Sequence, residues 1–562
     1  MPSPGVPASA VPSPADRAFV ELATAAVDDL LARDPVLATD LGDHRFDDWL
    51  PDLTPDAAAD ELVGLDRTLS ALDAVDDLAL GEANAVDLEI LRSRLTARAF
   101  ALNELARPTW DPLVWNPGTA CHQLLVRDFA PLPDRLGSLA ARLAAIPNHL
   151  QAARETLGTM PRVHVETALV QLDGTLALLS VDVDRALDAA PRSRHVVAPV
   201  RDAACEAITA FREWLSAGLA DATRSPRLGA QRYAAALWHT LDAELGPDDV
   251  LRRAEADLEL ISAEIEEVAA ELTGGRGTDA VRRALAEVAA SGPVTDATVL
   301  PWCTTALART TQFVNETQLV TLPELDIDIV EMPEIHRGVA VAYCDAPGPF
   351  ETDSLAMRFA VAPPPADWDQ GRVASFFREY NVHMLHDLTV HEAMPGHVVQ
   401  LAHARQLRAP TPVRAAFASG PFIEGWAVYA EHLMVDRGFD GDGGRRGALA
   451  LRLQQLKMAL RMTINAILDV RVHSRGMTED EAMWLMRGRG FQEEGEAAGK
   501  WRRAQLTAGQ LATYYVGWLG VSEIVHDLRV LHPDWSDRHL HDTVLGQGSP
   551  PPRHLRQLVG LP

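Results

Sequence analysis

Hydrophobic residues recur at alternating spacings of three and four along most of the chain, which is the pattern of amphipathic α-helices. The most regular run consists of Leu251, Ala254, Leu258, Ile261, Ile265, Val268 and Leu272. Asp248 and Asp249 precede it, as is typical of a helix N-terminus, and Gly274 and Gly275 follow it and should end the helix. Because the run covers only about three heptads, we expect this helix to pack inside the molecule rather than in a coiled coil.

The pattern changes after residue 313, where short β-prone runs replace the helical periodicity. Prolines punctuate these runs, which span residues 319–322, 327–330, 339–343 and 355–361. We therefore predict a mainly α protein with one small β-sheet in residues 313–366. The free edge of such a sheet could bind an extended substrate backbone, although a purely structural sheet is equally consistent with the sequence.

The domain organisation follows from the same pattern. Residues 1–14 are rich in Pro, Ser and Ala and are predicted to be a disordered lead-in. We predict that residues 15–562 form a single domain, with a helical part over 15–312 before the sheet and another over 367–562 after it. Length alone would also allow two or three domains.

Composition and charge narrow the classes of partner. The chain has 562 residues, of which 47% are hydrophobic and 23% charged, which is ample for a large core. Its net charge of −28 repels phosphate backbones and anionic lipid, so we expect neither nucleic acid nor a membrane surface as a partner. No apolar run approaches the roughly 20 residues of a membrane helix, and the N-terminus lacks the basic region of a signal peptide.

The cysteines bear on the cellular compartment and on the kind of metal site. The chain has four of them, which are Cys121, Cys205, Cys303 and Cys344. They are far apart and form no CxxC pair, which argues against a disulfide framework and against a thiolate metal site. We therefore predict a cytoplasmic protein.

Candidate chemistry is concentrated in residues 383–400, HMLHDLTVHEAMPGHVVQ. A hydrolytic zinc site uses three protein ligands, commonly His and carboxylate, and keeps one position open for water. It also needs a carboxylate beside the metal to take a proton from that water. His391 is a candidate ligand followed directly by a candidate base, Glu392, and His397 is a candidate second ligand.

The spacing of these histidines requires a break in the helix. Residues six positions apart on a straight helix point in different directions, and Pro395 and Gly396 both disfavour a continuous helix. We therefore predict a break at residues 394–396 that returns His397 to the side of His391. Two alternatives for the second ligand are His383 and His386, whereas Asp387 is a candidate to orient the imidazole of His391.

The third ligand is predicted to be a carboxylate from the segment 420–434, GPFIEGWAVYAEHLM. Glu424 follows His397 by 27 residues, and Glu431 lies one heptad later near the same helix face, so either could bind. We favour Glu424 as the ligand, which makes Glu431, like Asp387, a candidate to support the ligands without binding the metal. Tyr514 and Tyr515 are candidate donors to an oxyanion, since the chain has only six tyrosines.

Four further residues are weaker candidates for roles around the metal or the substrate. Asp469 and His473 are spaced i, i+4 on one predicted helix, so they could pair and support the metal ligands, although an ordinary helix-surface contact is equally consistent with the spacing. Arg461 and Arg471 could bind a substrate carboxylate, but their surroundings in the sequence do not distinguish them from other arginines.

Five segments carry a resemblance to a known family. HEAMPGHVVQ and EGWAVYAE, together with DPVLATDLGDHRFDDWLPDL, GQLATYYVGW and HDTVLGQGSPPPRHLRQLV, resemble the bacterial domain of unknown function 885 over nearly the whole chain. That family is similar to the helical gluzincins carboxypeptidase Taq, thimet oligopeptidase and angiotensin-converting enzyme, which share the order HE…H, a later Glu and a late Tyr. The resemblance implies zinc bound by His391, His397 and Glu424, with Glu392 as the base and Tyr514 as the late tyrosine.

The implied fold is a large helical zincin-like body split by a central channel, with the small sheet on its wall. Two departures from the pattern stand out: the gluzincin histidines are spaced i, i+4, and Val398 occupies a position where many members of the family have His. We expect a zinc-dependent hydrolase, a metallopeptidase acting on short peptides or amides as a carboxypeptidase or dipeptidase. The alternatives are a specialised metallo-amidase on a small metabolite and a non-catalytic peptide-binding protein; the sequence leaves the oligomeric state open.

Overall fold

The computed structural model describes residues 12–332, 342–351, 356–364, 368–441 and 443–561. Within them the chain is mainly α with one small sheet, as predicted. Residues 1–11 of the predicted lead-in lie outside the described residues, and the first helix begins at Pro14, where Ser13 caps it. None of the described helices is long and apolar enough to cross a membrane.

Helices form most of the described chain and run from its first residues to its last. In chain order they are α1 Pro14–Arg33, α2 Pro35–Leu41, α3 Pro55–Asp73, α4 Glu82–Phe100, α5 Gly118–Val126, α6 Leu132–Thr156, α7 Arg162–Ala177, α8 Val183–Ala189, α9 Arg194–Ala217, α10 Ala230–Leu241, α11 Pro247–Thr273, α12 Thr278–Ser291, α13 Val299–Thr317, α14 Gln370–Glu379, α15 Val382–Glu392, α16 His397–Gln406, α17 Val413–Ala416, α18 Gly420–Asp436, α19 Gly444–Ser474, α20 Glu479–Trp484, α21 Glu494–Leu506, α22 Thr513–Leu531, α23 Asp537–Leu545 and α24 Pro552–Leu558.

Helix α11 confirms the most regular run of the sequence. Asp248 and Asp249 lie in its first turn, where carboxylates stabilise the helix dipole, and Gly274 ends it with a positive φ of 72° that suits a residue without a Cβ. Its apolar face is buried in a core shared with α19, through residues such as Ile265 and Leu460. The helix therefore packs inside the molecule and not in a coiled coil.

The sheet has the strands β1 Ile327–Glu331, β2 Ala342–Asp345 and β3 Met357–Val361. Their order is β1-β3-β2, with β1 parallel and β2 antiparallel to the central β3. Cys344 of β2 pairs with Phe359 of β3, so β2 lies at an edge of the sheet among the strands that the structure describes.

The predicted strand at residues 319–322 is wrong, and α13 continues past Phe313 to Thr317. The apolar side chains of Leu319 and Val320 are buried, but their backbone binds side chains of α23 instead of a neighbouring strand. His541 donates to the carbonyl of Leu319 at 2.7 Å, and Asp542 accepts from the amide of Thr321 at 2.8 Å. Residues 339–341 and 355, in the other two runs, lie outside the described residues.

Two glycines bring α18 against α22. A Cβ on Gly425 would lie 2.3 Å from the backbone of Gly517, and a Cβ on Gly517 would lie 2.0 Å from the carbonyl of Pro421. Only glycine fits at both positions, so the two backbones can approach closely. This contact brings the start of α18, with Glu424, beside the start of α22, with Tyr514.

Candidate metal centre

The two candidate histidines meet across a break between α15 and α16. Helix α15 ends at Glu392 and α16 begins at His397, while the amide of Gly396 donates to the carbonyl of Val390 at 2.9 Å. A Cβ on Gly396 would lie 1.9 Å from the carbonyl oxygen of His391, so the chain can fold back at this point only with glycine. The predicted break is confirmed, and it brings the two imidazole centroids to 4.7 Å with their planes at 85°.

Glu424 of α18 completes a group of three possible ligands. Its Oε2 lies 3.6 Å from Nε2 of His391 and 3.6 Å from Nε2 of His397, and the ligand atoms of all three residues lie within 4.8 Å of one another. Two zinc bonds of about 2.0–2.1 Å at a tetrahedral angle separate their ligand atoms by about 3.4 Å. The spacing of the carboxylate from each imidazole therefore fits an ion placed between them.

Unpaired polar atoms support this fit. Oε2 of Glu424 and Nδ1 of His397 are buried without a hydrogen-bond partner among the described residues. Buried polar atoms are normally paired, so a carboxylate oxygen left open between two imidazoles is the arrangement expected of a site that binds a cation.

Glu431, the alternative third ligand, instead contacts the far side of the His391 ring. Its Oε1 accepts a hydrogen bond from Nδ1 of His391 at 2.6 Å, and its side chain is 2% exposed. A carboxylate in this position fixes the orientation of the imidazole and raises its basicity. Of the two carboxylates predicted to support the ligands, Asp387 and Glu431, it is therefore Glu431 that contacts His391.

Asp387 is buried beside this pair without a hydrogen bond to His391 among the described contacts. Burial and the negative charge of Glu431 raise the pKa of Asp387 well above its usual value. His386, an alternative ligand, packs its ring against Phe439 at a centroid distance of 5.9 Å. Neither His386 nor His383 belongs to the ligand group found among the described residues.

The ligands strongly influence one another's ionisation. Burial alone would lower the pKa of His391, but the neighbouring carboxylates of Glu424 and Glu431 raise that pKa well above its usual value. Burial would raise the pKa of Glu424, but the two imidazoles hold that pKa far below its usual range. In the absence of a metal, the Glu424 carboxylate is therefore balanced by a proton on His391.

Glu392, the candidate base, is held by the sheet. Its Oε2 accepts a hydrogen bond at 3.0 Å from the backbone amide of Cys344, on the free edge of β2. The other carboxylate oxygen makes no hydrogen bond to the described residues. One oxygen is therefore fixed, and the other is available to a water molecule or a substrate.

The two candidate tyrosines point to different places. The hydroxyl of Tyr515 donates to Asp257 of α11 at 2.6 Å, so its prediction as an oxyanion donor is wrong. The hydroxyl of Tyr514 accepts from Arg503 at 3.3 Å, and both burial and the charge of Glu424 raise its pKa. Tyr514 therefore shares an electrostatic environment with the metal ligands and keeps its proton at neutral pH.

A model of a known protein family matches most of the chain. The model of a family described as bacterial protein of unknown function, DUF885, matches residues 35–559. The chain belongs to the DUF885 family. No curated protein is significantly similar to it in sequence.

Two solved structures have the same fold. A candidate lipoprotein of unknown function from Shewanella oneidensis is 27% identical, with a TM-score of 0.80 over 96% of this chain and 99% of that chain. A candidate lipoprotein from Colwellia psychrerythraea is 16% identical, with a TM-score of 0.80 over 97% of this chain and 98% of that one. The fold of this DUF885 protein therefore extends over nearly the full length of both proteins.

The predicted pair of Asp469 and His473 does not form in this DUF885 protein. Asp469 accepts from the amides of Gly509 and Ala512 at 3.0 and 2.9 Å, and His473 Nε2 contacts the carbonyl oxygens of residues 504 and 507 at 2.9 and 2.8 Å. Both side chains bind backbone groups in and just before the loop that leads into α22. These backbone groups have no partner within a helix, so the side chains satisfy them. They therefore support Tyr514 from a distance and do not touch the metal ligands.

The candidate arginines for a substrate carboxylate are also occupied. Arg461 forms an ion pair with Glu496, and Arg471 forms one with Glu255. The sequence analysis did not single out Lys500, a buried residue of α21. It is one of only two lysines in the chain, beside 49 arginines. In so arginine-rich a chain, a lysine is a compositional exception that could have drawn attention to this position.

Proposed function

We propose that this DUF885 protein is a zinc-dependent hydrolase that cleaves peptide or amide bonds in short substrates. The observation that carries the proposal is the convergence of His391, His397 and Glu424, with Glu392 adjacent in sequence to the first ligand. Two imidazoles and one carboxylate are a ligand set of catalytic zinc sites, which leave the fourth position open. The gluzincin-like relationship and the central channel are parts of this proposal.

Glu392 is proposed to act as the general base. A zinc ion, when bound, would polarise the scissile carbonyl and lower the pKa of water to about 7. Glu392 takes a proton from the attacking water and passes it to the leaving nitrogen, so that amide and water become a carboxylate and an amine. The amide of Cys344 fixes one carboxylate oxygen and leaves the other free for this transfer.

Tyr514 is proposed to stabilise the oxyanion that develops on the scissile carbonyl. Its raised pKa keeps the phenol protonated, as a hydrogen-bond donor must be. Arg503, which contacts the phenol oxygen, adds positive charge beside it.

The free edge of β2 is proposed to bind the substrate backbone. The strand lies directly beside Glu392, and an exposed strand edge offers hydrogen bonds to an extended peptide. This arrangement favours a short peptide over the small metabolite of the alternative metallo-amidase. The cytoplasmic location and the absence of nucleic-acid and membrane partners stay predictions.

Metal analysis combined with three variants tests the proposal. Protein purified without chelators should contain about one zinc per chain, and His391→Ala and His397→Ala should lose it. Glu392→Gln should keep the metal and lose the hydrolysis of a panel of short peptides and small amides. Normal turnover by Glu392→Gln would refute the mechanism, and zinc binding without turnover by the natural chain would favour a peptide-binding protein.

A further inference from the structure

Helix α21 carries a row of charged side chains, one of which contacts Tyr514. Glu496, Lys500 and Arg503 are spaced by four and three residues, so they lie on one face of the helix. Two neighbouring cations of α19 have acidic partners: Arg461 pairs with Glu496, and Lys457 pairs with Glu379 at 2.7 Å. The acidic groups nearest to this face are therefore already used.

Lys500 and Arg503 are left without carboxylate partners. The side chain of Lys500 is only 6% exposed, yet it makes no hydrogen bond or ion pair with any residue that the structure describes. Arg503 contacts only neutral oxygens, those of Gln510 at 2.9 Å and Tyr514 at 3.3 Å. Buried charges are normally paired, so an unpaired Lys500 in a chain of net charge −28 requires an explanation.

Packing links this face of α21 to the candidate ligands: Arg503 contacts Tyr514 at 3.3 Å, and the start of α22, with Tyr514, packs against the start of α18, with Glu424. Burial and the charge of Arg461 lower the pKa of Lys500 to about 7, while Glu496 and Glu424 oppose that shift. Glu424 is also the metal ligand whose charge acts on Tyr514, and Tyr514 contacts Arg503. Lys500 thus shares with Arg503 the face of α21 that contacts Tyr514.

We propose that Lys500, assisted by Arg503, binds the free carboxylate at the C-terminus of a peptide substrate. The inference rests on the proposed hydrolase function and specifies its substrate class: the enzyme acts near the carboxyl end of peptides. The interior backbone of a peptide is neutral, and the C-terminal residue alone adds a negative charge to the main chain. The protonated side chain of Lys500, which has no partner in the described part of the chain, could pair with that charge. The interior of a peptide bound to an endopeptidase would offer no such main-chain charge.

A binding experiment with three peptide pools tests this assignment. Zinc-loaded Glu392→Gln protein is incubated with tripeptide free acids, with the same tripeptides as C-terminal amides, and with amides that end in Asp or Glu. Ultrafiltration and mass spectrometry then quantify the bound peptide. Free acids should be enriched over plain amides about tenfold or more, as expected for a charge-assisted hydrogen bond.

Lys500→Met in the same background should abolish that enrichment and leave the binding of amides unchanged. Arg502→Gln is the matched control, because it removes an exposed cation from the same helix and should retain the preference. Thermal unfolding of Lys500→Met should be no lower than that of the parent, since the substitution removes an unpaired buried charge. Lys500→Gln provides a second variant with a polar but uncharged side chain.

Equal binding of acids and plain amides, binding of neither pool, or a preference that survives Lys500→Met would overturn the assignment. Selective binding of the amides that end in Asp or Glu would instead indicate an acidic side chain and would also overturn it. Hydrolysis by the unmutated chain is measured separately. Carboxylate-dependent binding without hydrolysis would refute the proposed function alone, and equal hydrolysis of acids and amides would refute the role of Lys500 alone.

Discussion

The hydrogen bond between Glu431 and His391 offers a quantitative test of how the centre is built. Glu431→Gln preserves the shape of the side chain and its ability to accept from Nδ1 of His391, but removes the negative charge. The bond is 2.6 Å long and Glu431 is 2% exposed, so water cannot replace what is lost. The substitution therefore isolates the electrostatic effect of Glu431 on a metal ligand.

The expected magnitude follows from the position of the carboxylate. A carboxylate that accepts a hydrogen bond from a metal-binding histidine typically raises metal affinity by 10- to 100-fold, which corresponds to about 1.4–2.8 kcal/mol. We expect the full range in this protein, because both partners are buried and the carboxylate compensates the positive charge that develops on the imidazole. Glu424→Gln, which alters a ligand itself, should weaken binding further.

Zinc affinity can be measured by competition with a chromophoric chelator, with thermal unfolding as a check on folding. Asp436→Asn is a suitable control, because it removes a half-exposed carboxylate from the same helix, 3.5 Å from Arg452. Unchanged zinc affinity in Glu431→Gln would show that the hydrogen bond does not act on a metal ligand.

Three further predictions concern the turn, the tyrosines and the pH dependence. Gly396→Ala should abolish zinc binding and lower the stability by about 1–3 kcal/mol or more, measured by metal analysis and denaturant unfolding, because its Cβ would lie 1.9 Å from the carbonyl oxygen of His391. Tyr514→Phe should reduce kcat about 100- to 1000-fold with little change in KM, whereas Tyr515→Phe should cost about 1 kcal/mol of stability and leave kcat unchanged. Zinc binding near pH 7 should release a proton, because the raised pKa of His391 keeps the metal-free imidazole protonated. For the same reason, the affinity for zinc should decrease as the pH is lowered. Below about pH 6.5 that protonated imidazole contributes its full stability to the metal-free protein, and the contribution disappears as pH rises through the raised pKa. Calorimetry in buffers of different ionisation enthalpy measures the released proton, and its absence would contradict the assigned protonation.

Local signals in the sequence predicted the helices and the centre of the candidate site. The periodicity and end residues of α11 are encoded within the helix itself, so its limits could be predicted closely. Pro395 and Gly396 indicated the break between the two histidines, since both act on the backbone of their own segment. Glu424 was predicted because it follows His397 by 27 residues, which is similar to the separation of the corresponding carboxylate in the gluzincins.

Features that depend on distant contacts could not be predicted in the same way. Residues 319–322 have the composition of a strand, but His541 and Asp542, more than 200 residues later, bind their backbone. Tyr514 and Tyr515 are neighbours in sequence, and only the packing of α22 decides which of them faces the ligands. That Lys500 has no ion pair among the described residues likewise becomes evident only when the charged side chains of α19 and α21 are paired in the structure.

Anomalous diffraction at the zinc absorption edge, from crystals of protein purified without chelators, tests the central claim most directly. We predict one strong peak about 2.0–2.2 Å from Nε2 of His391, from Nε2 of His397 and from a carboxylate oxygen of Glu424. The absence of any peak between these three side chains, after the protein has been supplied with zinc, would contradict the metal centre and the hydrolase function built on it.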